Sequence, residues 1–287
     1  LAMDDFGSHK SVHMIRWPRI RDGLEKLLAA DHYGGLFQRD QISEDIKRTA
    51  QLTREWLSPV VDLSDFSYCY HVNGTHNSIE RWLASETRPI YVLTGEYPYA
   101  QSLRPDIHVV SDSDQIPQGA VAYISNPFSS TGNYDPRYHQ IRVPVILDLA
   151  YVGTTAPHCF AITPNTEQVF WSGSKTFGLG CFRTGYRFTK TRDPMQDILA
   201  NVGYANWLSV HTLAMALRTY GPFDTHQLVA EIYDKIIRDN DLLSSHSYLL
   251  GLGQDVARYG VFAREDGQLR VPVGRVLDLR VQQLDMR

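Results

Sequence analysis

The strongest constraint on this chain is a succession of short, nearly continuous apolar runs between residues 66 and 173. They are FSYCYHV (66–72), PIYVLT (89–94), DIHVV (106–110), AVAYIS (120–125), VPVILDLA (143–150), CFAIT (159–163) and EQVFWSG (167–173). Continuous apolar runs separated by helices or loops read as strands buried on both faces of a parallel sheet. On either side the apolar period is helical: residues 18–30 and 41–57 before the runs, NSIERWLA among them, and residues 194–220 and 225–243 after them. VFARED followed by GQLRVPVG predicts a hairpin around Asp266-Gly267. The expectation is an α/β chain with a mostly parallel central sheet flanked by helices and a small α+β C-terminal domain. It divides into a helical N-terminal segment (1–60), a large α/β domain (61–215) and the small domain (216–287).

Composition agrees and excludes several classes. At 287 residues, 43% hydrophobic and 21% charged, the chain is neither disordered, collagen-like nor a coiled coil. A net charge of −4 gives no electrostatic footprint for nucleic acid or an acidic membrane. No apolar stretch reaches the length of a bilayer span, and LAMDDFGSHK lacks the pattern of a signal peptide. Cys69, Cys159 and Cys181 are sparse, odd in number and far apart, which fits a reducing compartment; the expected location is the cytoplasm. The 11 histidines form no metal-binding spacing, so no metal is expected.

In open α/β sheets, ligands sit beyond the carboxyl ends of the strands, and three clusters fall there. Asn73-Gly74-Thr75-His76 follows a strand and opens a helix, where amides can cradle a phosphate. Alone it reads more readily as an ordinary strand–turn–helix. Asp148 ends the strongest strand, with Tyr151 three residues on. It reads equally as a helix cap or as a functional carboxylate. The third cluster, Ser172-Gly-Ser-Lys175-Thr-Phe-Gly-Leu-Gly-Cys-Phe-Arg183, is the informative one. Lys175 is one of only six lysines, and no acidic residue falls between Glu167 and Asp193. A lysine in apolar surroundings loses proton affinity and becomes a nucleophile toward aldehydes, while Ser172 and Arg183 offer donors for a phosphate. Ser174 stands where a Walker loop needs glycine, and Arg183 where the dinucleotide fingerprint needs its third glycine, so neither motif applies.

Taken in order, Asn73-Gly74-Thr75-His76, Asp148-x-x-Tyr151 and Ser172-x-x-Lys175 followed by Arg183 resemble the fold type I pyridoxal-phosphate enzymes, nearest to the class I/II aminotransferases. The resemblance covers residues 66–190 well and the rest loosely. It implies a pyridoxal 5'-phosphate cofactor in internal aldimine (Schiff base) linkage to Lys175, which also shuttles the proton during transfer. It implies that Asp148 pairs with the pyridinium nitrogen and that Tyr151 donates to the phenolic oxygen. Ser172, Arg183 and the amides of Gly74, Thr75 and His76 would hold the phosphate, and Tyr97 in GEYPY would stack on the ring.

The chain departs from the family in places. NPFSSTG (126–132) resembles the family's N-P-x-N-P-T-G loop, with Ser129 in place of the asparagine that binds the phenolic oxygen. Asn126 has the better side chain and is taken as the cofactor contact; Ser129 is the better alignment. Members usually carry a longer N-terminal segment and a fuller small domain. Arg270 in LRVPVG is the expected substrate-carboxylate arginine, and Arg275 in VGRV becomes the candidate if the strand slips. Trp82, Tyr204 and Trp207, at helical spacing, are expected in the core.

The function implied is an aminotransferase that moves an amino group between an amino acid and a keto acid. The alternative is other fold type I chemistry: a decarboxylase, lyase, racemase or condensing enzyme. Less favoured is a cofactor-binding protein without turnover. The resemblance also implies a homodimer, and Tyr33 in HYGG resembles a tyrosine that crosses the dimer interface to the neighbouring phosphate.

Overall fold

The computed structural model describes residues 3–6, 12–29 and 39–285; Tyr33 lies outside the described residues. Seven strands form the main sheet: β1 (Tyr68–Val72), β2 (Ile90–Leu93), β3 (His108–Val110), β4 (Val121–Ser125), β5 (Val145–Asp148), β6 (Thr166–Ser172) and β7 (Gly185–Thr189). Their spatial order is β1-β7-β6-β5-β4-β2-β3. The pairs from β6 across to β3 are parallel, and β7 runs antiparallel to both of its neighbours. Every residue of β4 and β5 is buried, as their unbroken apolar runs require of strands covered on both faces.

The helices are α1 (Pro18–Ala29), α2 (Arg39–Leu57), α3 (Gly74–Ser85), α4 (Tyr99–Leu103), α5 (Gly173–Thr176), α6 (Pro194–Asn201), α7 (Trp207–Thr219), α8 (Asp224–Asp239), α9 (Val256–Tyr259) and α10 (Gly274–Asp285). A second, antiparallel sheet, ordered β10-β9-β8, is built from β8 (Leu243–Ser244), β9 (Leu250–Gly253) and β10 (Leu269–Pro272). One continuous cluster of buried apolar residues joins Phe6 and Trp17 near the start, the main sheet, and Val271 and Leu277 near the end. No helix among the described residues is long and apolar enough to cross a membrane.

Four sequence expectations are corrected. Residues 159–163 form no strand: Phe160 makes one backbone bond to Val60 at 3.1 Å and buries its ring, so the apolar run reflects packing rather than a ladder. The strand β7 carries no apolar signature because Arg187 interrupts it. That arginine is buried at 5% exposure because Asp193 and Gln168 accept from it at 2.9 and 2.8 Å. The helical run 194–220 is two helices. Gly203, at φ +63°, ends the first, and Asn206 caps the second by accepting from the Ser209 amide. Tyr204 therefore falls in the break and is 73% exposed, not core, while Trp207 is half-buried against His211 and Trp82 is buried as expected. Finally, the turn at Asp266-Gly267 forms and joins Ala263 to Leu269 of β10 by one antiparallel bridge, but the ladder partner of β10 is β9.

Candidate active site

The carboxyl ends of the parallel strands open onto a cavity of about 440 Å³. The strand β5 delivers Asp148 there, β6 ends at Ser172 and passes directly into the short α5 that carries Lys175, and β4 ends at Ser125. The loop after β2 brings Tyr97, the N-terminus of α3 brings Thr75 and His76, and β10 of the second sheet brings Arg270. Tyr151, Ser174, Arg183 and Ser129 complete most of the polar wall.

Asp148 is fully buried, and burial is the largest influence on it, pushing its carboxyl up to about 6. Three contacts oppose that shift. The Tyr123 hydroxyl donates to Oδ2 at 2.8 Å, the Ala150 amide donates to Oδ1 at 2.8 Å, and the positive charge of Lys175 favours the ionised form. No helix begins at this point, so the carboxylate closes a turn and faces the cavity rather than capping a helix.

Lys175 is half-buried, with Nζ 5.7 Å from the centre of the buried Tyr151 ring. Its segment packs against a buried aromatic layer of Trp56, Trp171 and Phe177. It is also clamped by two bonds: the Trp17 indole donates to the Thr176 carbonyl at 2.8 Å, and the Thr176 hydroxyl to the Val152 carbonyl at 2.8 Å. The glycines that follow are explained by close packing. Gly178 has φ +71°, and a Cβ there would lie 2.3 Å from the Ile15 carbonyl oxygen; one at Gly180 would lie 2.6 Å from the Met14 side chain. Residues 12–17 thus close one wall of the cavity, with Val12 and Met14 among its lining residues.

The opposite end is cationic. Arg183, in a left-handed conformation at φ +51°, donates from Nη2 to the Asn73 carbonyl at 3.0 Å. Its guanidinium lies over Gly74, where a Cβ would come within 3.2 Å. His76 is held below its ordinary pKa, by burial first and then by Arg183 and Lys175. Its Nε2 is 2.7 Å from the Tyr97 hydroxyl and its ring is parallel to that of Tyr97. The Ser174 hydroxyl is buried without a partner. At the far side Arg270, 4% exposed, donates from Nη1 to the Ser129 carbonyl at 2.8 Å, and its Nε is buried and unpaired.

Two expected residues stand elsewhere. The Asn126 side-chain oxygen accepts from the Asp135 amide at 2.9 Å, and the cavity wall at this loop is Ser129. Arg275 is exposed on α10, away from the cavity. Three residues the sequence did not single out, Tyr123, Ser125 and Glu96, help to build the site. Tyr123 lies two positions before Ser125 on β4, and Ser125 is in register with Asp148, so pairing those two strands would have found it. Glu96 is the one acidic residue in PIYVLTGEYPYA and is fully buried. It accepts from the amide and hydroxyl of Ser125, at 2.6 and 2.5 Å, and from the Tyr97 amide at 2.6 Å. Burial above all pushes its carboxyl up to about 7. Among the described residues, no group of three or more His, Cys, Asp and Glu side chains is placed to hold a metal ion.

No family model matches the sequence, and no curated protein matches it. Solved structures do. An alanine aminotransferase from Pyrococcus furiosus is 14% identical with a TM-score of 0.61, over 96% of this chain and 93% of that one. The histidinol-phosphate aminotransferase of Sinorhizobium meliloti, in complex with pyridoxal-5'-phosphate, is 16% identical at 0.64, over 94% and 88%. An aminotransferase from Staphylococcus aureus is 15% identical at 0.59, over 96% and 92%. The chain has the fold of these aminotransferases. At such identities the likeness is one of architecture, and this α/β architecture with its mostly parallel seven-stranded sheet spans nearly the whole chain.

Proposed function

We propose that this protein is a pyridoxal-phosphate-dependent enzyme, an aminotransferase that passes an amino group between an amino acid and a keto acid. The observation that carries the reading is the convergence of Lys175, Asp148, Tyr151, Arg183 and Arg270 on one cavity at the carboxyl ends of the strands. The residues present fit the cofactor. The partnerless Ser174 hydroxyl, Ser172 and the Arg183 guanidinium over Gly74 form a donor set suited to a phosphate, with Thr75 and His76 at the start of α3 beside it. Tyr97 and His76 supply the flat wall that an aromatic ring needs.

Bound pyridoxal phosphate supplies an aldehyde carbon that condenses with amines and a protonated ring that accepts an electron pair. Asp148 would hold the ring proton. The hydrogen bonds from Tyr123 and Ala150 keep that buried carboxylate available as an anion facing a cation. Lys175 would hold the cofactor through Nζ, and the same amine would serve as the base that moves a proton. Tyr151, under Nζ, would orient that amine and donate to the cofactor's phenolic oxygen. Arg270 would clamp the substrate carboxylate, with its unpaired Nε available for the second bond of a fork.

By the same reading the protein is a cytoplasmic homodimer, with residues 61–215 as the cofactor domain and 216–287 as a small domain. The test is an absorption spectrum of the protein with pyridoxal phosphate. A band near the visible edge that shifts with an amino acid and returns with a keto acid is the expected result. A shift without return would replace transamination by decarboxylase, lyase, racemase or condensing chemistry, and absence of any band would overturn the cofactor itself.

A further inference from the structure

A second cavity of about 340 Å³ adjoins the first. Arg270 and Tyr97 line both, and the second is otherwise bounded by Gly95, Glu96, Pro98 and residues 263–265, which carry Arg264 and lead into the turn at Asp266-Gly267. That turn is pressed onto the loop after β2: a Cβ at Gly95, φ +91°, would lie 2.2 Å from an Asp266 carboxylate oxygen. Arg264 is half-buried, and among the described residues neither it nor Arg270 forms an ion pair. Arg264 is held below its ordinary pKa, by burial first and by the neighbouring charge of Arg270 second.

Tyr151, Asp266 and Glu265 act on Arg264 in the opposite sense but do not outweigh burial and Arg270. Glu96 is committed to Ser125 and Tyr97, and Asp266 accepts from the Gln268 amide at 3.1 Å and abuts Gly95. Glu265 is exposed. A buried and a half-buried guanidinium that line one cavity without an ion-pair partner are costly, and an anion bound in that cavity relieves both the repulsion and the unmet donors. The buried, unpaired Nε of Arg270 marks where such a donor is wanting a partner.

We propose that the substrate carries two anionic groups: an α-carboxylate held by Arg270, and a carboxylate or phosphate on its side chain held by Arg264 in the second cavity. This rests on the aminotransferase reading for the role of Arg270. An amino acid with a neutral side chain would leave Arg264 uncompensated, so the arrangement discriminates by charge as well as by fit.

The test is calorimetric titration of the purified protein with three unreactive anions: propionate, succinate and 3-phosphonopropionate. One of the two dianions should bind about 30-fold more tightly than propionate, and whichever does so assigns the side-chain group as carboxylate or phosphate. Arg264→Gln should reduce that preference to about threefold or less while leaving propionate within about twofold. Arg264→Lys, which keeps the charge but not the fork, should fall between. Equal affinities for all three anions in the wild type, or an undiminished preference in a folded Arg264→Gln variant, would overturn the proposal. If Arg264→Gln does not fold, the wild-type comparison and Arg264→Lys decide. Failure of the cofactor reading would show separately, as absence of the absorption band described above, which this titration does not use.

Discussion

Asp148 at the end of β5 and Glu96 just after β2 are two buried carboxyls on either side of β4, and burial raises both, to about 6 and about 7. Glu96 binds its proton more tightly in the folded chain than in the unfolded one. Its contribution to stability is therefore full below the unfolded carboxylate pKa and is lost as pH rises through about 7. Glu96→Gln removes that titration. Denaturant melts at pH 5 and pH 8 should show the variant gaining on the wild type by on the order of 2 kcal/mol as pH rises. That gain sits on a constant loss, because an amide has one acceptor oxygen where Glu96 uses both of its own. A pH-independent difference would mean that Glu96 does not change its charge in this window. Glu96 was illegible in the sequence because a lone acid beside a glycine looks like surface. Asp148 was half legible: ending an apolar strand it reads equally as a helix cap or a functional carboxylate, and only its order with Tyr151 and Lys175 favoured the second. Its partner Tyr123 was not legible, since a tyrosine in such a strand reads as core.

At the scale of elements, the site depends on where β10 stops and on what lies over α5. Arg270 is held in β10 by pairing with Leu252 of β9, whereas Arg275 has passed onto α10. Arg270→Ala should raise the amino-acid KM by about 100-fold and Arg275→Ala by less than about twofold; the reverse order in steady-state kinetics would move the carboxylate clamp to α10. The choice between them was open in the sequence because a short strand leaves its register to tertiary pairing. The glycines after Lys175 had no assigned use in the sequence; the packing of Ile15 and Met14 supplies one. Gly178→Ala combines a left-handed backbone with a 2.3 Å approach to a carbonyl oxygen, and should cost about 2 kcal/mol or more, several degrees of Tm. Gly119→Ala, at φ +84° with nothing within 4 Å, should cost only about 1 kcal/mol, and equal losses would refute the close-packing explanation.

For the whole molecule, the alternation of apolar runs with helical periods was enough to foresee a mostly parallel sheet, because strands covered on both faces cannot hide their composition. It could not foresee β7, whose buried Arg187 is paid for by a partner six residues away in sequence. Nor could it foresee that CFAIT packs without pairing, since burial alone does not distinguish a strand from a loop lying on the core. The same limit explains Asn126: its side chain suits a cofactor, but the backbone amide of Asp135 claims it first. What brings residues from the first and the last parts of the chain to one cavity is the continuous core that joins residues 12–17, the main sheet and β10. The chemistry proposed for that cavity stands on one covalent attachment. The protein should be incubated with pyridoxal phosphate, reduced with borohydride, digested and read by peptide mass. The adduct is expected on the peptide containing Lys175, and it should vanish in Lys175→Ala. A reduced adduct on any other lysine, or none at all, would contradict the assignment.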